Sequence, residues 1–342
     1  MGWVNEEGLK YIQSGECLSF FFQLIFFFKR CPDNIESRNL TQVSEFYLMM
    51  PLEDSELQPV LFGLFLSMYL VTVLGNLLII MAITTDSHLH TPMYFFLSVL
   101  SLDDIVFVST TVLKMIVNIQ TSSTVISNVG CLTQMSLFII FADMDGMLLS
   151  VMAYDRFVAI CHPLNYPVIM NPQLCGFLVL VPFLVSILGC QVHILFVLQV
   201  TYFKDVKISS FYCDPSQILD LTCSDNFSHN IFKYFVATIY GFFPISGILF
   251  SYYKILSSIQ RIPLGGKYKA FSTCGSHLSV VCLFYGTAIG VYLETAVSNA
   301  PKKSGVASVM YALVTPMLNP FIYSLRNRDM KSALWKLQSR IT

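Results

Sequence analysis

Five polar side chains stand inside long apolar runs, and their types could do chemistry: Asn76, Asp104, Asp143, Asp145 and Asn319. A carboxylate removed from water must pair, protonate or bind an ion. Asp104 and Asp145, together with an Asn, could hold a sodium ion, because hard cations take oxygen ligands. They could equally share a proton, since close like charges push one pKa up. The plain alternative is hydrogen-bond glue between helices, worth ~0.6 kcal/mol per bond. Asp143 and Asp145 are two residues apart and so do not share a helix face. That spacing, with no accompanying protease motif, argues against an intramembrane hydrolase. A further charged pair, Asp155-Arg156, closes the apolar segment that begins near Cys131. An ionised side chain at hydrocarbon depth costs ~2.5–3.5 kcal/mol, so a chain that carries one at a helix mouth is expected to use it. The competing reading is a snorkelling anchor at the headgroups.

The elements that must position these groups are membrane helices. The chain has 342 residues, 55% hydrophobic and 12% charged, against roughly 25% charged in soluble domains. A spanning helix needs ~20 mostly apolar residues, and seven windows qualify: about Pro59 to Ile83, Met93 to Val117, Leu132 to Ala153, Cys175 to Leu198, Ile231 to Leu256, Phe271 to Leu293 and Val306 to Leu325. Pro182, Pro244, Pro316 and Pro320 lie inside them and predict kinks. The fold expected is an all-α membrane protein, a seven-transmembrane helix bundle. Seven unlike spans argue against the inverted repeats of a transporter. The net charge of -1 leaves no basic surface for nucleic acid. Ten scattered Cys with no CxxC pair point to no metal site, and no cofactor is expected.

Lys and Arg orient the bundle. The C-terminal side collects ten, among them Arg156, Lys254, Arg261, Lys267 and Arg326, against six on the opposite loops and helix mouths, Lys114 included. The N-terminus is therefore expected outside and the C-terminus in the cytoplasm, with four charges in the N-terminal segment blurring the bias. Three parts follow: an extracellular segment with an atypical extension (1–58), a seven-span helical domain (59–325) and a short cytoplasmic tail (326–342). The apolar run Cys17 to Phe28 is too short to span. Asn39-Leu40-Thr41 is an external sequon open to glycosylation.

Five long motifs resemble the signatures of a rhodopsin-class G-protein-coupled receptor, specifically an olfactory (odorant) receptor. They are Leu89 to Ser98, Met152 to Cys161, Ser251-Tyr252, Lys269 to Leu278 and Pro316 to Tyr323, in the family's order. The resemblance covers roughly Asn39 to Lys336 and does not reach residues 1–38. It implies a multi-pass plasma-membrane protein that is not an enzyme. Such a receptor binds a small volatile organic ligand within the lipid bilayer and activates a heterotrimeric G protein of the stimulatory or olfactory type, raising cAMP. The alternative kept open is a receptor for a non-odorant small molecule in another tissue, or a poorly expressed family member. The resemblance also implies a Cys131–Cys213 disulfide. Phe203 stands where the family's further loop cysteine belongs, so Cys223 loses its usual partner. Val99 replaces a common Asn, and His162-Pro163-Leu164-Asn165-Tyr166 departs by one residue.

The implied pocket lies between the third, fifth, sixth and seventh spans, near their outer halves. Helical spacing selects facing sets: Phe138, Ile139, Ala142 and Asp143; Val236, Ala237 and Tyr240; Tyr285, Ala288, Ile289 and Tyr292; Val309 and Ala312. Their apolar and aromatic walls suit a neutral volatile molecule. The implied G-protein switch comprises Asp155, Arg156, Tyr252, His277 and Tyr323, over the polar core of Asn76, Asp104, Asp145 and Asn319.

Overall fold

The computed structural model describes residues 44–49, 56–199, 206–221, 226–259, 264–297 and 308–341. Asn39, Cys31, Phe203 and Cys223 lie outside them, as does the side chain of Tyr292. Among the described residues six helices are long and apolar enough to cross a membrane. They are α1 (Gln58–Thr85), α2 (Pro92–Thr121), α3 (Asn128–Cys161), α4 (Pro172–Gln199), α5 (Ile231–Ile259) and α6 (Leu264–Val297). The seventh, α7, is described as a π-helical turn, Met310–Val314, running into an α-helix, Thr315–Arg326. Helices are forced here because hydrocarbon offers no water to satisfy a backbone N–H or C=O. Leu74, Leu188, Phe242 and Leu249 stay exposed on outward faces, as side chains solvated by lipid tails do.

Two prolines leave a shared signature. The π-turn of α5, Ala237–Phe242, ends two residues before Pro244, and that of α7 ends two residues before Pro316. A proline supplies no N–H to the preceding turn and its ring crowds the carbonyl four residues back. The residue before each proline instead bonds five residues back: Phe243 N–H to Thr238 O, and Thr315 N–H to Met310 O. Thr315 Oγ1 donates to Met310 O as well, at 3.1 Å. At Pro244 and Pro316 the expected kink is thus resolved as a single wide turn, while Pro182 and Pro320 stay inside α-helix.

One end of the bundle carries a small sheet that the all-α expectation did not contain. β1 (Glu45–Leu48) pairs antiparallel with β2 (Val125–Ser127) and parallel with β3 (Lys207–Ile208). Strands of four, three and two residues are too short to show a period in sequence. Phe46 and Leu48 turn inward and are buried. A disulfide joins Cys131 on α3 to Cys213 in the loop after β3. Beside it, Gln134 Nε2 donates to Thr110 O of α2 at 2.9 Å, and its Oε1 accepts from Cys213 N–H at 3.0 Å. One amide therefore ties two helices and the loop together.

The opposite end, where Arg156 lies, carries α8 (Arg328–Ile341). Sequence reading took this stretch for a plain tail. Met330, Ala333 and Leu337 are buried on one face, at helical spacing. Asn327 caps α8 by accepting from the Asp329 and Met330 amides, and its Nδ2 donates to the Tyr94 hydroxyl at 2.9 Å. Lys336 bonds Asp86 at 2.9 Å. That bond, with the His88 amide, holds the Asp86 carboxyl below its ordinary value.

Tyr240 packs into a notch on α4. Its hydroxyl donates to Val185 O at 3.0 Å, and a Cβ on Gly189 would overlap that hydroxyl. Overpacking of a filled site costs ~1–3 kcal/mol, so Gly189→Ala is expected to lower the thermal stability of the detergent-solubilised protein by several degrees. Gly189→Ala with Tyr240→Ala should lose less than the sum of the single changes, because the overlap is removed. Strictly additive melting shifts would refute this account of the notch.

Candidate functional site

The groups singled out in the sequence sort into three layers. At the disulfide end is an aromatic cluster. Phe138 stacks on Tyr212 of the loop at 4.8 Å between centroids, tilts against Phe107 at 5.3 Å and reaches Tyr311 at 6.1 Å. Tyr311 continues to Phe284 at 5.7 Å, which meets Tyr285 edge-on at 5.1 Å. The loop, α2, α3, α6 and α7 thus share one set of rings, each pair worth ~0.5–1.5 kcal/mol beyond burial. Val309 and Ala312 flank a cavity of about 10 Å³ under Tyr212 and Phe211, room for about one water.

The other predicted wall residues divide around α3. Ile139 is buried; Ala142, Val236 and Ala288 are half-buried. Asp143 lies within electrostatic reach of Tyr240 and Cys190, on the side of α3 that faces α4 and α5. Gly146 is where the elements converge. The Tyr285 hydroxyl, the Phe284 ring and the Tyr240 carbonyl lie beside it, and its own carbonyl accepts the Tyr285 hydroxyl at 3.3 Å. Nothing in the polarity pattern marked Gly146; its position one residue after Asp145 was the available signal. Two expectations are corrected. Ile289 is 50% exposed, on an outward stripe with Leu278, Cys282 and Gly286. Ala237 is exposed beside Tyr234 and Thr238, where the wide turn of α5 shifts the register of facing residues. Neither lines an interhelical pocket.

Below the rings is the polar core. Asn319 Nδ2 donates to both oxygens of Asp104, at 3.1 and 3.0 Å. Asn76 Nδ2 donates to Thr72 O at 3.1 Å and Pro316 O at 3.5 Å, joining α1 to α7. Asp145 meets a residue that sequence reading passed over, Asp103, buried next to Asp104. Two carboxylates that only accept can bond each other only through a proton. Asn319 turns its amide nitrogen to Asp104, and no cluster of three or more His, Cys, Asp or Glu that could hold a metal occurs among the described residues.

The third layer surrounds Arg156. Asp155 accepts from the Tyr166 hydroxyl at 2.8 Å. Burial and that carboxylate together push the Tyr166 phenol above its ordinary value. Arg156 is buried, and its Nε has no partner among the described residues. His277 is fully enclosed. Nε2 lies 3.0 Å from Leu149 O and Nδ1 lies 2.8 Å from the Tyr252 hydroxyl. A carbonyl only accepts, so Nε2 carries the hydrogen and neutral Nδ1 accepts from Tyr252. One ring therefore ties α3, α5 and α6. Tyr323 is buried nearby on α7, its hydroxyl unpaired.

The sequence profile of the olfactory receptor family matches residues 65–340. The chain belongs to the olfactory receptor family. It is 68% identical over 326 residues to olfactory receptor 7E24 of Homo sapiens, covering 95% of this chain and 96% of that one. It is 66% identical over 308 residues to olfactory receptor 7E178 of Mus musculus (90% and 93%), and 60% identical over 307 residues to olfactory receptor 7D4 of Homo sapiens (90% and 98%). Its fold is that of squid rhodopsin, with a TM-score of 0.67 at 17% identity over 84% of this chain and 87% of that one. The protein is an odorant receptor of the G-protein-coupled class, spanning the plasma membrane several times. Such a receptor takes a small-molecule ligand and couples to a G protein.

The His277 contacts yield a prediction. A ring that ties α3 to α5 and α6 opposes their separation, and loss of buried hydrogen bonds costs ~1–3 kcal/mol. His277→Phe keeps the ring but abolishes both bonds, so it should raise agonist-independent signalling by about fivefold or more, as ~1.4 kcal/mol is tenfold. A cAMP reporter at matched surface expression checks this. Unchanged basal output would show that the ring only fills space.

Proposed function

We propose that this receptor binds small, mostly apolar volatile molecules among α3, α5, α6 and α7 and activates a stimulatory or olfactory G protein, raising cAMP. The observation that carries this reading is the aromatic cluster from Tyr212 through Phe138 and Tyr311 to Tyr285. Its apolar rings suit a neutral organic ligand. Tyr285 hands the contact to Gly146 on α3, and one turn further along α3 Leu149 receives His277. Ligand-side rings and switch residues thus share one helix.

The orientation proposed is N-terminus outside and C-terminus in the cytoplasm. A disulfide persists in an oxidising compartment, which supports the Cys131–Cys213 end being external. The ten Lys and Arg at the other end support its being cytoplasmic. There Arg156, with Asp155, Tyr252, His277 and Tyr323, is the proposed docking and switching surface for the G protein. Ligand drives the change by binding the active arrangement better than the inactive one.

Arg156→Ala is expected to abolish agonist-driven cAMP while leaving surface expression near normal; a full response from that variant would sink the switch assignment. The pocket is tested by agonist dose–response. The Tyr240 and Tyr285 hydroxyls already serve backbone carbonyls, so Tyr→Phe at either should shift potency by roughly tenfold or less, an unpaired acceptor costing ~1–3 kcal/mol. Phe138→Ala should cost more, through the lost ring contacts. Unchanged potency in all three would show the pocket lies elsewhere. A response destroyed by Asp143→Asn alone would point to a cationic ligand instead.

A further inference from the structure

A second recess, outside the proposed odorant pocket, lies between α2 and α3 at the disulfide end. It measures about 510 Å³ and is walled by Thr110 and Lys114 on α2, Ser127 of β2, and Gly130, Thr133 and Leu137 on α3. Thr110 and Lys114 are one turn apart, as are Gly130, Thr133 and Leu137, so each helix turns one face to it. Ser127, Thr133 and Leu137 are exposed, so the recess opens to the outside of the bundle. Its volume falls in the range of small-molecule sites.

Lys114 is half-buried in this wall. No carboxylate lines the recess, and the ammonium makes no hydrogen bond or ion pair among the described residues. Lys114 precedes the end of α2 by seven residues, ~10 Å at 1.5 Å per residue. A cation two turns from the end of a spanning helix is within reach of the headgroups. Ser127 Oγ accepts from Gly130 N–H at 3.1 Å and keeps its own hydrogen to donate. Leu113 and Val117, flanking Lys114 on α2, are 41% and 46% exposed and continue the apolar surface.

We infer that this recess binds a fatty acid drawn from the membrane leaflet on the disulfide side. One unpaired cation calls for a monoanion, its place two turns from the helix end suits a headgroup-level carboxylate, and the aliphatic flank suits a single acyl chain. The carboxylate sits against Lys114 and Ser127, and the chain runs inward along Leu113 and Leu137. The competing arrangement is Lys114 snorkelling to the headgroups with the recess filled by any lipid tail.

The full-length receptor in phosphatidylcholine nanodiscs tests this with a palmitic-acid analogue carrying a mid-chain diazirine and a terminal alkyne. Its methyl ester and a diazirine phosphatidylcholine serve as controls. After irradiation, labelled peptides are mapped. The acid is expected to label residues 110–117 and 130–137 at least about fivefold more than the ester, the worth of roughly 1 kcal/mol. Lys114→Gln should erase that excess and Lys114→Arg should retain it. Thr133→Phe keeps the cation but fills the recess, and should lose the labelling. Equal labelling by acid and ester, stronger labelling by the phospholipid, an excess that survives Lys114→Gln or labelling that survives Thr133→Phe would each overturn the assignment. No signalling is read, so failure here is distinct from failure of the odorant reading.

Discussion

In hydrocarbon a polar side chain cannot borrow water, and this receptor's interior is organised by that constraint. Several buried polar groups find partners on another helix or on the backbone, and those partnerships fix which helices meet. Asn319 holds α7 to α2 through Asp104. Asn76 holds α1 to α7 through Pro316 O. Gln134 holds α3 to α2 and to the loop beyond β3. His277 holds α6 to α3 and α5. Apolar packing alone could not select these pairings, because lipid tails are as good a solvent for Leu as another helix is. Ring stacking then fills the space that the polar contacts delimit.

This explains what was legible in the sequence. The spans were readable because ~20 apolar residues cannot stay in water, and Asp104, Asp145, Asn76 and Asn319 were readable because polarity in such runs is costly. Asp103 escaped because its neighbour Asp104 accounted for the charge. Gln134 escaped because a Gln near a helix end carries no evident cost until its partners are known. Gly189 acts through the absence of a side chain, which has meaning only when the group that occupies the space, Tyr240, is known. Ile289 and Ala237 were misassigned because a helical repeat gives the spacing of facing residues but not the rotation of the helix. In α5 a wide turn changes that rotation midway.

The two π-turns bear on how the ends of the receptor communicate. Each lies in a helix that joins the ring layer to the Arg156 end: α5 carries Tyr240 within its turn and Tyr252 beyond it, and α7 carries Tyr311 and Ala312 within its turn and Asn319 and Tyr323 beyond it. A proline two residues past the turn has already removed one rung of the ladder, so the wide turn is a place where the helix changes pitch at less cost than in an intact α-helix. Tyr311, a member of the ring layer, therefore falls within the wide turn of α7.

The buried groups without partners complete the argument. Arg156 Nε and the Tyr323 hydroxyl are unpaired at one end, and Asp143 Oδ2 is unpaired on the α4 and α5 side of α3. Unmet buried polar atoms are few in native proteins and call for a reason. Around Arg156 the reason proposed is a partner that arrives from outside the chain, the G protein. Near Asp143 the nearest elements are Tyr240 and Cys190, both already committed to backbone carbonyls of neighbouring helices. Asp143 Oδ2 thus stands without a partner beside two groups that are already bonded.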